Sequence, residues 1–187
     1  MKRIVAAYIP DGSPVEILKL VCMYQARKDS TTFAAGKKEG VYALVDFSVR
    51  LDNMIPSDIE ENSESRNPGS SRKPSPTGGI EAAEFIFVLY DIFDKFMISV
   101  PGFAGPGKYL ASRKKHRARW VFEVDGAFSQ YHALCFPSQA RLLDGTVWRC
   151  DRDECINWLN EQMSEAGAKV TAEDVFMDGG MREGASE

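Results

Sequence analysis

The run GVYALVDFSVRLD, residues 40–52, constrains the chain more than any other stretch. Val41, Ala43, Val45, Phe47 and Val49 alternate strictly with Tyr42, Leu44, Asp46 and Ser48. Successive side chains of an extended strand point to opposite faces. The run therefore reads as a strand with one wholly apolar face. Such a face must be buried against a second layer, so the chain has to build a sheet with something packed on one side of it.

The other segments supply candidates for that layer. Residues 3–9, RIVAAYI, suit a short first strand. In DGSPVEILKLVCMYQARK, Ser13 can cap a helix, Pro14 suits its first position and Glu16 completes a capping box. Val15, Leu18, Val21 and Cys22 then share one helical face, which predicts a helix. In IEAAEFIFVLYDIFDKFM, residues 80–97, Glu81, Glu84, Asp91, Asp94 and Lys95 recur at helical spacing. That predicts a largely buried helix with one thin polar stripe. ARWVFEVDG (118–126), with Trp120, Phe122 and Val124 on one face, and FSQYHALCF (128–136) read as strands. In ARLLDGTVWRC, Asp144-Gly145 between apolar runs is a two-residue hairpin signal. DRDECINWLNEQMSEAGA is a helix capped by Asp151, with Glu154 three residues on, Gly167 at its end and Cys155, Trp158, Leu159 and Met163 as its core face.

The expected fold class is thus α+β: a mostly antiparallel sheet with about three helices packed on it. One domain spans 1–177. Within it, 53–79 is rich in Pro, Ser, Gly and charge, and reads as a long mobile or partner-ordered loop. Residues 178–187 read as a disordered tail.

Across 187 residues the formal charge is −4 and apolar residues make up 44%, which suits a cored protein without a broad attraction to anions. No apolar run approaches the roughly 20 residues that cross a bilayer, so no membrane is expected. Four cysteines, unevenly spaced, are too few for a disulfide scaffold and point to a reduced, intracellular and by default cytoplasmic protein.

Against this acidic background one segment stands out, PGFAGPGKYLASRKKHRARW, residues 101–120. It holds Lys108, Arg113, Lys114, Lys115, Arg117 and Arg119, with His116 among them and no acid. With these six set aside, 17 basic residues remain against 27 acidic ones. Dense cations neutralise phosphates in a sequence-blind way, and the flanking Tyr109 and Trp120 could stack on bases. The expected function is a non-enzymatic binding protein holding a polyanion, RNA or DNA, through this exposed segment. An acidic protein surface is the alternative partner, making the chain an inhibitor, adaptor or viral or mobile-element accessory protein.

A third reading takes Gly102–Lys108, formally G-x-x-x-x-G-K, as an anion loop of a small enzyme acting on a phosphorylated substrate. Glycines let such a backbone curl its N–H groups toward a phosphate. Tyr109 stands where a metal-binding Ser or Thr belongs, which argues against a nucleotide loop. His132, Cys135, Cys150 and Cys155 form H-x2-C…C-x4-C, a donor set that suits zinc. Residues 132 and 135 of a regular strand face opposite sides, however, so buried structural thiols and no cofactor are expected. Cys135 or Cys150 with His116 or His132 could pair for nucleophilic chemistry. Glu123, Asp125 and Asp144 lie near expected strand ends, and no catalytic assignment follows from any of these.

Overall fold

The structure, a computed structural model, describes residues 3–25, 40–51, 59–60, 78–105, 107, 109–122, 130–164 and 167–176. The elements among them, in chain order, are β1 Val5–Ala7, β2 Val15–Gln25, β3 Gly40–Val49, β4 Ile59–Glu60, β5 Gly79–Asp91, β6 Phe96–Ala104, β7 Leu110–Ala111, β8 Lys115–Phe122, β9 Gln130–Leu142, β10 Val147–Arg149, α1 Arg152–Gln162 and α2 Ala172–Val175.

The strands form two sheets. The larger has seven strands, with the path β4-β10-β9-β5-β6 and with β7 beside β5. β1 joins it as the parallel partner of β9. The smaller is β2-β3-β8, antiparallel throughout.

The core lies between the sheets. Val41, Ala43, Val45, Phe47 and Val49 of β3, expected to share a buried face, are all at most 1% exposed. They meet the inner face of β5, where Phe85 sits 5.2 Å from the Phe47 ring. Phe87 packs edge-on to Trp120 of β8 at 5.3 Å and against Phe122 at 5.2 Å. Burial of each such side chain contributes about 1.5–3 kcal/mol.

The outer face of the larger sheet is covered by the C-terminal segment. The Phe136 and Phe176 rings lie 5.9 Å apart. Ser99 Oγ donates to the Val175 carbonyl at 2.8 Å. Tyr8 stacks on Trp158 of α1 and donates to the Glu154 carboxylate.

The expected α+β class with about three helices is wrong: the chain is mostly β, in two sheets, with two helices among the described residues. Two expected helices are strands. In β5, Ala83, Phe85, Phe87 and Leu89 face the inter-sheet core, while Ile86, Val88 and Tyr90 are buried on the other side. A strand covered on both faces is a continuous apolar run and has no alternation to read. Its polar residues fell at helical spacing for local reasons. Glu84 sits at a register irregularity with β9. Asp91 closes the β5–β6 turn by accepting from Phe93 N and Lys95 N at 2.8 and 2.9 Å.

In β2 the misleading feature is a bulge. Register slips between Ile17 and Lys19, leaving Leu18 42% exposed. The inward set is then Val15 and Ile17 before the bulge and Leu20, Cys22 and Tyr24 after it. The extra residue shifts the alternation and imitates a helical period. Ser13 Oγ does accept from Val15 N at 3.1 Å, so the capping residue turns the chain, but into a strand.

The helix expected over 151–168 is present as α1 and Asp151 accepts from Glu154 N as its cap, but it ends at Gln162, short of the Gly167 expected to close it. The Asp144-Gly145 hairpin is present between β9 and β10, with Gly145 at φ 87. β9 runs straight through Pro137, which lies at the register irregularity opposite Phe85, where a missing N–H is tolerated. Most of the expected loop 53–79, and the tail 178–187, lie outside the described residues. Among the described residues no helix is long and apolar enough to cross a membrane.

Candidate nucleic-acid interface

The basic segment does not remain an irregular loop. It ends in a turn, residues 112–114, and then becomes β8. Arg113 adopts φ 60, a left-handed conformation that costs a non-glycine residue energy. Hydrogen bonds hold it there: Arg113 N and Ser112 Oγ both donate to the Val49 carbonyl, at 2.8 and 3.3 Å, and Ser112 N donates to Gly78 O at 2.9 Å. The basic turn is thereby tied to the ends of both sheets.

Along β8 the residues alternate. His116, Ala118, Trp120 and Phe122 are half-buried, whereas Lys115, Arg117, Arg119 and Val121 are exposed. His116 Nε2 pairs with the Ala111 carbonyl at 2.9 Å, and its ring lies against Phe47. Trp120 donates to the Phe103 carbonyl at 3.1 Å and packs on Phe85 and Phe87. Both are therefore on the side of β8 away from the exposed cations. Tyr109 is 53% exposed, with its ring close over Gly79. Lys108 lies outside the described residues.

The register of the smaller sheet shows what stands beside the cations. Its outer face carries four cross-strand rows: Glu16–Ser48–Lys115, Lys19–Asp46–Arg117, Val21–Leu44–Arg119 and Met23–Tyr42–Val121. Arg50, Arg113 and Lys114 line a shallow hollow that continues the first row. Seven cations thus share this end of the sheet with two carboxylates. Arg117 forks onto Asp46 with bonds of 2.5 and 2.9 Å. Arg50 pairs with Glu16 at 2.7 Å, and Glu16 also accepts from Ser48 at 3.0 Å. Among the described residues Lys19, Arg113, Lys114, Lys115 and Arg119 are in no ion pair.

The Arg117 hydrogen bond holds the Asp46 carboxyl below its usual range, with the charges of Arg117, Lys19 and Lys115 acting the same way. That three cations act on one carboxylate is itself a sign of how closely they gather. The other half of the face is apolar, with Met23 and Val121 each 46% exposed. Lys19 and Arg50, and the aromatic Tyr42, were not singled out in the sequence. The outward alternation of 42–48 carried the only signal for Tyr42, and Lys19 was hidden by the bulge.

The other candidates are dispersed or differently used. Gly102 lies inside β6; a Cβ there would come within 2.9 Å of both Phe87 and Trp120, so this glycine admits the tryptophan. Pro101 sits in the same strand, at the edge of its sheet, where proline is allowed.

His132 Nδ1 accepts from Ile4 N at 2.9 Å and its Nε2 pairs with Asp94 at 2.6 Å. Cys135 faces the inter-sheet core, where burial pushes its thiol up; burial likewise pushes Cys22 up to about 12. Cys155 hydrogen-bonds Cys150, which together with burial drives its thiol up. Of His132, Cys135, Cys150 and Cys155 the structure thus brings Cys150 and Cys155 together but not the full set, and no cluster suited to a metal occurs among the described residues. Glu123 and Asp125 lie outside those residues, and Asp144 accepts from Thr146 N at 2.9 Å in the hairpin turn.

On the covered side of the molecule a cleft of about 220 Å³ opens beside α2. Its polar groups are engaged: Glu84 accepts from Ser138 and Gln139 at 2.9 and 2.6 Å, and Arg152 lies over the Phe176 ring. No family model matches the chain, and no curated protein or solved structure is significantly similar to it.

Proposed function

We propose that this protein is a non-enzymatic binding protein that holds a polyanion, RNA or DNA, on the outer face of its three-stranded sheet. One observation carries the reading: seven cationic side chains converge on one end of that face while the chain as a whole is acidic. Their position on strands and on a hydrogen-bonded turn fixes the backbone that carries them, so binding has to order only the side chains. Affinity from such an array comes mainly from displaced counterions and falls steeply with salt.

The test is fluorescence anisotropy with labelled oligonucleotides across a salt series. Wild-type affinity is expected to fall about a hundredfold between 50 and 200 mM salt for some five phosphate contacts. The variant with Lys115, Arg117 and Arg119 all changed to Glu is expected to lose binding while keeping its fold, since all three side chains are exposed. Equal binding by the two proteins overturns the reading. An acidic polypeptide such as polyglutamate that binds more tightly than any oligonucleotide transfers the face to a protein partner.

A further inference from the structure

Resting on that reading, we propose that the ligand is single-stranded, with successive phosphates at Lys115, Arg117 and Arg119 along β8 and a base on the ring of Tyr42. Alternate residues of a strand are about 6.6 Å apart. The three cations on the exposed side of β8 therefore form a straight row. Their spacing is close to that of consecutive phosphates along an extended nucleic-acid strand. A backbone laid on that row has to place its bases to one side.

Among the described residues β8 is the edge of its sheet, and the protein surface beside it on this face lies on the β3 side. There the register puts Ser48 beside Lys115 and Asp46, the acid that Arg117 holds in the free protein, beside Arg117, then Leu44 beside Arg119 and Tyr42 beside Val121, with Val21 and Met23 beyond the last two. The polar and apolar halves of the face thus follow one another along the direction the strand would take. Base faces stack on aromatic and apolar side chains regardless of sequence. A duplex keeps its base faces covered and meets proteins largely through phosphate and sugar. It would engage the charged rows and leave Met23, Tyr42 and Val121 without a counterpart. The same holds for inorganic polyphosphate. The apolar half of the face is therefore what selects a single strand.

The experiment compares a labelled single strand of about 12 nucleotides, as DNA and as RNA, with the duplex of the same sequence and with polyphosphate as competitor. The single strand is expected to bind at least tenfold more tightly than the duplex. Tyr42→Leu keeps an apolar side chain at a half-buried position and is expected to weaken single-strand binding about fivefold or more without changing the salt slope. Arg119→Gln is expected to lower that slope by roughly one contact. Thermal melts of both variants confirm folding.

Duplex binding as tight as single-strand binding, with Tyr42→Leu and wild type indistinguishable, overturns this proposal while leaving polyanion binding intact. Failure of every nucleic acid and of polyphosphate to bind overturns both.

Discussion

The two sheets of this protein differ in what lies on their outer faces. On the larger sheet that face is buried: Ile86, Val88 and Tyr90 of β5 and His132, Leu134 and Phe136 of β9 are at most 6% exposed. α2 and Phe176 lie against it. On the smaller sheet the corresponding face is charged at one end, apolar at the other and exposed along β8. Both sheets bury their inner faces in one core, so stability is served alike by each. The difference separates the two tasks. The covered face completes the core, and the other, with nothing packed over β8 among the described residues, concentrates cations. A net-acidic chain that gathers seven of its 23 basic residues on one face gains a directed field there instead of a uniform one.

The comparison breaks first, and by the largest effect, on substitutions at matching places. Phe136→Ala on the covered face removes a side chain at 0% exposure and is expected to cost about 3–5 kcal/mol in urea unfolding. Tyr42→Leu on the uncovered face is expected to cost less than about 1 kcal/mol. Similar losses at both would mean that the smaller sheet is also covered.

Next in size is Gly102→Ala. Its new methyl meets the Phe87 and Trp120 rings at 2.9 Å, and a loss of about 1–3 kcal/mol is expected by the same assay. Oligonucleotide affinity of the folded fraction should be unchanged, because this glycine packs and does not hold phosphate.

Asp46→Asn sharpens the electrostatic side. It removes the carboxylate that Arg117 forks onto, and is expected to tighten oligonucleotide binding about fivefold at 0.1 M salt. Unchanged or weaker binding would place the ligand elsewhere.

The smallest effect is a pH dependence. The folded pKa of Asp46 lies below the ordinary 3.8, so its pairing stabilises the fold above that ordinary value and the contribution disappears as pH falls through the depressed one. The difference in Tm between wild type and Asp46→Asn, small because Arg117 is 55% exposed, should be present at pH 7 and should shrink as the pH is lowered beyond the ordinary carboxylate range.

Sequence reasoning reached those elements whose local signal matches their environment. β3 was legible because one face is buried and the other meets water, so its alternation is undisturbed. α1 was legible from its cap, and the β9–β10 hairpin from Asp144-Gly145. β5 was not, because burial on both faces erases alternation. β2 was not, because the bulge at Leu18 inserts one residue into the pattern. The candidate site was half legible for the same reason. The charge cluster 113–119 was visible along the chain, but its division into outward Lys115, Arg117 and Arg119 and inward His116 and Trp120 required recognising that β8 begins at Lys115. Lys19 and Tyr42 join the cluster only through cross-strand register, which no single segment encodes.

Amide hydrogen exchange with and without bound single-stranded oligonucleotide tests the central claim most directly, because it locates the ligand by face. Slowed exchange is expected in peptides covering residues 112–122 and 16–23, with peptides covering 149–162 and 170–176 unchanged. Protection confined to the latter peptides, beside the cleft on the covered face, would contradict it.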